Sequence, residues 1–168
     1  MGKGAILLVF SAVCLLALAG TAAAADQHFF VEGQVYCDTC RAQFVTRISE
    51  NMPDVKVRLD CKNRTTNQLT FSEEATTDKS GTYSIPVDGD HEDDICEIVL
   101  VKSNNPECSE ISKGIFHKRA ARISLTSNNG IITPTRAANP LGFLRKTPLP
   151  ECGEVFKELG ILPEELID

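Results

Sequence analysis

The sequence predicts an all-β protein: an antiparallel β-barrel or sandwich of about seven strands, with a short C-terminal helix and three disulfides. Two observations lead to this fold class. Apolar and polar residues alternate through most of residues 29–125, and six cysteines follow an apolar leader. Alternation with a period of two gives a strand one buried and one solvated face. No helix–strand alternation of the kind that indicates a parallel sheet is visible.

Six runs have the composition and spacing of strands. The clearest is 55–61, where Val55, Val57, Leu59 and Cys61 alternate with charged residues. The run 95–101 is apolar on both faces, which is typical of a central strand, and Pro86 indicates a sheet edge or a strand end. The predicted strands are 29–36, 55–61, 68–72, 82–87, 95–101 and 121–127.

Several connections can also be assigned. Asn128-Asn129-Gly130 is a hairpin signal, which predicts that the strand ending at Thr126 turns back into Ile131-Ile132. Residues 41–52 fit either a helical turn or a long loop. The Pro-rich stretch after residue 133 is expected to wrap the sheet in extended form.

The segment 152–160 has the pattern of a short amphipathic helix. Val155, Phe156 and Leu159 fall on one helical face, and Gly160 is a typical helix stop. We therefore predict a short helix that Cys152 ties to the rest of the domain.

Residues 1–25 have the features of a secretory signal peptide. Lys3 precedes the apolar stretch 5–20, and Ala23 and Ala25 meet the small-x-small cleavage rule before Asp26. A membrane anchor is disfavoured because the stretch is shorter than the ~20 residues that a span needs. We expect secretion, no membrane insertion, and a single domain over 26–168.

Seven cysteines are present, and Cys14 lies in the leader. The other six form an even set in a small exported domain, and such sets form disulfides in oxidising compartments. We predict three disulfides among them, although their connectivity does not follow from the sequence. These cysteines are Cys37, Cys40, Cys61, Cys96, Cys108 and Cys152.

The formal net charge of −6 disfavours nucleic acid and anionic membranes as partners. Lys118, Arg119 and Arg122 form a basic cluster, which is either the solvated side of a strand or a docking patch for an acidic partner. The sequon Asn63-Arg64-Thr65 predicts an N-glycan at Asn63 on an exposed turn.

The sequence offers little catalytic or cofactor chemistry. Cys37 and Cys40 match the Cys-x-x-Cys spacing, but their flanks are β-strand and loop rather than the helix start that a redox pair needs, so a structural role is expected. Zinc would require a second close cysteine pair.

The acidic loop 88–94 departs from the EF-hand pattern, so a solvated loop is expected rather than a calcium site. His28 and His117 stand apart from any recognisable partner. We expect no catalytic residue, no metal and no cofactor.

Several motifs together resemble the pollen Ole e I family of secreted plant proteins, and in particular its goosefoot pollen-allergen branch. The resemblance covers essentially the whole of 26–168, with all six cysteines in order. The motifs are VYCDTCR (35–41), VKVRLDC (55–61), TDKSGTYSIPV (77–87), EDDICEIVLV (92–101), PECS (106–109), ANPLGF (138–143) and PLPEC (148–152).

The resemblance implies a disulfide pairing, which would be Cys37–Cys108, Cys40–Cys152 and Cys61–Cys96. It also implies a secreted, non-enzymatic pollen glycoprotein, bound by IgE, with roles in pollen hydration and tube growth. The implied partner is a receptor-kinase ectodomain or a cell-wall component, and the implied location is the extracellular pollen or pollen-tube wall.

Two alternatives stay open at this point. One is a small-ligand or cell-wall glycan binding module that uses the mouth of the barrel. The other is a hydrolase that acts on the wall, which a panel of wall polysaccharides would test.

Overall fold

A computed structural model describes residues 27–112 and 120–161. The all-β prediction is confirmed, and the strands number ten in these ranges rather than about seven, because several are only two to four residues long. The elements are β1 His28–Asp38, β2 Glu50–Asn51, β3 Lys56–Asn63, β4 Leu69–Thr76, β5 Thr82–Asp88, β6 Asp94–Lys102, β7 Cys108–Glu110, β8 Ala120–Ile123, β9 Thr135–Ala137, β10 Leu141–Arg145 and helix α1 Cys152–Glu158.

The predicted signal peptide at 1–25 lies outside the described residues. Across the two described ranges, none of the helical structure is long and apolar enough to cross a bilayer.

The strands form two sheets that are not closed into a barrel. The first sheet is built around β1, whose N-terminal part pairs antiparallel with β5 and whose C-terminal part pairs with β10. The second sheet has the order β4-β3-β6-β8, and every pairing in it is antiparallel. As predicted, β6 is a central strand, since it lies between β3 and β8.

Two strands from the Pro-rich tail run parallel to β1, which the sequence pattern did not predict. Thr135–Ala137 and Leu141–Leu144 both pair with β1 in this direction. A parallel neighbour requires a long crossover instead of a hairpin. Here the whole second sheet lies between β1 and these strands in the chain, and that connection replaces the usual crossover helix.

The apolar faces of the two sheets enclose one core. Strand β5 alternates strictly between exposed and buried residues, and β3 and β6 bury Leu59 and Ile98 completely. Phe143 of β10 and Ile85 of β5 fill the first sheet's side of the same cluster. The period-two pattern of the sequence therefore identifies the inward face correctly. Pro86 points outward on β5, whose only sheet partner among the described residues is β1, so the edge expected from this proline is also found.

Two tyrosines lie over glycines of a neighbouring strand. Tyr83 is paired with Gly33 and Tyr36 with Gly142. A Cβ atom at Gly142 would come within 2.7 Å of the Tyr36 ring, and one at Gly33 would overlap the Tyr83 hydroxyl. Both glycines are required because each tyrosine ring occupies the space that a side chain would fill.

The predicted hairpin at 128–132 is wrong. Residues 131–132 form no strand, and Ile132 is 99% exposed. The chain instead turns away from β8 in the second sheet and enters β9 in the first. Arg136 holds this turn from inside: its guanidinium is buried and donates to the carbonyl oxygens of Thr126 (3.1 Å), Ile131 (3.3 Å) and Thr133. The strand 121–127 is correspondingly shorter, ending at Ile123.

The segment 41–52 is a loop that ends in β2, and helix α1 follows the predicted position closely. Val155 is buried and Phe156 half-buried, but Leu159 is 52% exposed, so its predicted place on the apolar face is wrong. The helix ends at Glu158, one residue before Leu159. Gly160 then adopts a φ of 71° and its N–H donates to the carbonyl oxygen of Lys157, which ends the helix as predicted.

Candidate functional site

Three disulfides are present, and they join the parts of the domain that carry its loops. Cys37 at the end of β1 is bonded to Cys108 of β7, and Cys40 is bonded to Cys152 of helix α1. The Cys-x-x-Cys pair is thus divided between two bridges, and neither of its sulfurs is a free thiol. Cys61 and Cys96 are directly opposite one another on β3 and β6, with their Cα atoms 4.0 Å apart.

Asp38, within the Cys-x-x-Cys motif, organises the loop that follows β1. Its side chain is fully buried, and its carboxylate accepts hydrogen bonds from the backbone N–H groups of Cys40, Ala42 and Gln43. Arg41 and Gln43 both have positive φ, a conformation that such side-chain bonds stabilise. Sequence reasoning missed this residue. The available signal was an aspartate directly before a non-helical segment.

The loop beginning at Cys40 and helix α1 form one unit, which we call the loop–helix unit (residues 40–49 and 152–159). A small cluster of buried apolar residues lies between its two parts, and Arg47 makes a bidentate ion pair with Glu158 at 2.8 and 3.1 Å. Phe44 and Val45 of the loop remain exposed. The unit therefore presents apolar side chains from a segment that a disulfide fixes in place.

His91 of the acidic loop lies beside the Cys61–Cys96 disulfide. Its Nδ1 is 2.8 Å from Oδ2 of Asp94, and its ring makes an edge contact with Phe71. One ligand-type atom from each of His91, Cys61 and Cys96 lies within 4.8 Å of the others. The sulfur atoms are bonded to one another, so they are not the thiolates that a metal would require.

Three other acids of loop 88–94 bind separate protein partners rather than converging on one point. Asp88 pairs with His28, Asp90 accepts from Thr126 and Ser127, and Glu92 accepts from Asn128. Burial acts to raise the pKa of Asp94, but hydrogen bonds from Thr70 and His91 outweigh it and hold that pKa below its ordinary value. The loop is therefore fixed to the sheets by its acids.

Of the predicted basic cluster, the structure describes only Arg122. Arg122 lies on β8, where its Nε donates to Glu97 at 2.9 Å. Lys118, Arg119 and His117 lie outside the described residues. His28, which the sequence left without a partner, has its Nδ1 2.6 Å from the carboxylate of Asp88.

Asn63 ends β3 and begins an exposed turn. Its Oδ1 accepts hydrogen bonds from the N–H groups of Thr65 (3.1 Å) and Thr66 (2.9 Å). Its Nδ2 makes no hydrogen bond within the described part of the chain. The atom to which a glycan would be attached is thus not needed for the fold, and glycosylation of Asn63 stays a prediction.

Surface depressions lie on the sheets rather than at a barrel mouth. One of about 290 Å³ lies beside β2 and is lined by Met52, Pro53 and Asn104 among others. Two more, of about 280 and 250 Å³, adjoin one another on the second sheet. Within residues 27–112 and 120–161 the two sheets do not close, so these depressions are not at the barrel mouth that the alternative of a ligand-binding module expected.

Fold and bridges define the class: a β-sandwich protein crosslinked by three disulfides, with a short terminal helix. Residues 27–160 match the family described as pollen protein Ole e 1 like. The chain belongs to this family, as the motifs indicated.

Curated relatives cover nearly the whole chain. The pollen allergen Che a 1 of the goosefoot Chenopodium album is 59% identical over 94% of this chain and 94% of that protein. The Olee1-like protein of Betula pendula is 57% identical over 96% and 97%. The anther-specific protein LAT52 of Solanum lycopersicum is 47% identical over 98% and 99%.

Among solved structures, the major plantain pollen allergen Pla l 1 matches with a TM-score of 0.68 and 41% identity, over 74% of this chain and 99% of that one. These matches make the chain a protein of pollen-allergen type.

Proposed function

We propose that this chain is a secreted, non-enzymatic pollen glycoprotein that acts outside the cell as an interaction or signalling protein in pollen hydration and tube growth. It would act in the pollen or pollen-tube wall, where a receptor-kinase ectodomain or a wall component binds it. As a pollen allergen it would also be bound by human IgE.

The three disulfides are the observation that carries this proposal. Such bridges form and persist in oxidising compartments outside the cytosol. In this domain they fix a loop, a helix and strands of both sheets. A rigid scaffold with fixed loops is suited to presenting a surface to a partner.

The loop–helix unit is the surface that we expect to contact the partner. Phe44, Val45 and Leu159 are exposed apolar residues of this unit, and exposed apolar groups on a fixed segment favour a binding role. The Cys40–Cys152 bridge and the Arg47–Glu158 ion pair reduce the entropy lost when a partner binds.

The experiment is a binding assay with purified ectodomains of receptor kinases expressed in pollen. We expect the oxidised protein to bind at least one ectodomain and Val45→Asp to weaken that binding at least tenfold. Ile132→Asp is the matched control, since it places the same charge on another exposed aliphatic residue. Binding that survives reduction and unfolding would contradict the proposal.

Secretion and glycosylation are measured on the same preparation. After expression of the full chain in plant cells, we expect a medium-borne protein that begins at Asp26 and carries a glycan at Asn63. Retention inside the cell with an intact leader would contradict the extracellular assignment.

A further inference from the structure

The two adjoining cavities of the second sheet form one depression, which we call the outer groove. Ile95 and Arg122 line both cavities and so make them continuous. The cavity of about 250 Å³ lies on the outward side of the sheet, because its residues Asp60 and Lys62 alternate with the buried residues Leu59 and Cys61. The cavity of about 280 Å³ continues it at the end of the sheet, where the 91–92 loop meets the end of β8. The lining carries four carboxylates, those of Asp60, Glu92, Asp94 and Glu97, and the cationic side chains of Lys62, Arg64 and Arg122.

The groove is lined by both hydrogen-bond acceptors and donors, and the acceptor Asp60 is held in place. Arg58 donates to both carboxylate oxygens of Asp60 at 2.8 to 3.1 Å, and Ser72 donates to the same carboxylate at 2.7 Å. The hydrogen bond from Arg58 keeps the pKa of Asp60 below its ordinary value, so Asp60 remains an ionised acceptor.

Donors that the fold does not use lie beside these acceptors. Arg122 uses its Nε for Glu97, but its two terminal nitrogens have no hydrogen-bond partner among residues 27–112 and 120–161. The ammonium of Lys62 has none there either. Each hydroxyl of a sugar both donates and accepts, so a surface that offers fixed acceptors next to free donors suits a polyhydroxylated ligand.

Half-buried aliphatic residues also line the groove. Ile95 and Val99 project outward from β6, and Ile95 lies where the two cavities meet. The C–H face of a pyranose ring is apolar and would cover such residues. The volumes of about 280 and 250 Å³ are close to the lower limit for small-ligand sites, so each cavity has room for about one ring.

From this combination we propose that the outer groove binds a short neutral oligosaccharide, with adjacent sugar units in the two cavities. A neutral ligand is favoured over an acidic one because the four carboxylates of the lining outnumber its three cationic side chains, so that a uronic acid would meet a net negative charge. The site is separate from the loop–helix unit and therefore goes beyond the proposed protein partner.

The test is a titration of the isotope-labelled, oxidised full-length protein followed by amide chemical shifts. The probes are cellotetraose, β-1,4-galactotetraose and xylotetraose, with tetragalacturonate as the acidic comparison. We expect at least one neutral probe to give saturable shifts confined to β3, β6, β8 and the 91–92 loop, and tetragalacturonate to bind more weakly.

Arg122→Ala should weaken this binding about tenfold, which corresponds to about 1.4 kcal/mol. Arg47→Ala is the control, because it removes an arginine from another exposed ion pair without touching the groove. If Arg122→Ala does not fold, Lys62→Ala tests the same groove at another exposed residue.

Four results would overturn the proposal: no shifts with any neutral probe, shifts elsewhere on the protein, tighter binding of tetragalacturonate, or full binding by both groove variants. Ectodomain binding measured on the same variants separates the two proposals. If Arg122→Ala loses sugar binding and keeps ectodomain binding, the groove is a site in its own right.

Discussion

The guanidinium carbon of Arg136 lies 4.8 Å from the centre of the Phe29 ring, inside the turn that carries the chain from the second sheet to the first. Arg136 is 3% exposed and forms no ion pair with any described carboxylate. Its charge is instead solvated by backbone carbonyl oxygens and by the face of the aromatic ring. The buried arginine, rather than a hairpin, therefore fixes the path of the chain between the two sheets.

Replacing Arg136 with methionine should therefore destabilise the protein by about 2–4 kcal/mol, because several carbonyl oxygens would be left buried without donors. Arg136→Lys should recover only part of this loss, since an ammonium cannot reach carbonyls on several sides at once. Urea unfolding of each variant measures the change. Arg47→Met, at an exposed ion pair, should change stability by less than about 1 kcal/mol; an equal loss in both variants would contradict the role given to Arg136.

Asp38→Asn should cost about 1–3 kcal/mol, because one carboxylate accepts three backbone N–H groups and an amide would turn a donor toward them. Hydrogen exchange should show faster opening of residues 40–43 than in the parent protein. Asp88→Asn, at an exposed aspartate, is the control and should leave that loop unchanged. Unaltered exchange in the Asp38 variant would show that the carboxylate is not what orders the loop.

The sequence was sufficient to predict the parts of the fold in which local pattern and burial agree. Strands β1, β3, β5 and β6 were found to within two residues at each end, because one face of each meets the core and the alternation follows directly. Their assignment to two open sheets, with β9 and β10 parallel to β1, depends on contacts between residues far apart in the chain. No local pattern encodes those contacts.

The same limit applied to the candidate surfaces. The Asn-Gly signal at 129–130 did mark a turn, but the hairpin prediction failed because a buried arginine seven residues after Asn129 decides where the chain goes next. Likewise, the outward residues of β3 and β6 gave no hint of a groove. A groove depends on which strands are neighbours, and that order emerges only from the assembled sheet.

Stability in acid should depend on Asp94. Its pKa is lower in the folded protein than the ordinary value of about 4, so the folded state binds fewer protons than the unfolded chain there. The resulting stabilisation is complete above about pH 5 and is lost as the pH falls toward and below the folded pKa. Asp94→Asn should flatten the decline of unfolding free energy between about pH 5 and 2. Asp93→Asn should retain the parent's slope; a parent slope in both variants would contradict this assignment.

The two tyrosines should make the protein sensitive to base. Burial raises the pKa of Tyr36 to about 12, with a smaller contribution from Asp38, and burial raises that of Tyr83 further. Since the chain has only these two tyrosines, the phenolate band that grows in as they ionise reports them alone. At about pH 10.5 we expect little phenolate in the native protein and a majority in urea. The stabilisation that is linked to these raised pKa values is present in full below about pH 10. It is lost as the pH rises through the tyrosine pKa values of the folded protein.

Tyr83→Phe should raise stability by about 1 kcal/mol, because the Tyr83 hydroxyl is buried with no hydrogen-bond partner in the described residues. The variant should also lose the part of the phenolate titration that occurs at the higher pH, because that part belongs to Tyr83. Gly33→Ala in the parent should cost about 1–3 kcal/mol, since the new methyl group overlaps that hydroxyl. The same alanine should cost somewhat less in the Tyr83→Phe background, because the contact with the hydroxyl oxygen is removed while the ring carbon Cζ, 2.6 Å from the new Cβ, remains. Urea unfolding of the four proteins gives this coupling directly, and equal costs of Gly33→Ala in both backgrounds would show that the Tyr83 hydroxyl does not contribute to the requirement for glycine at that position.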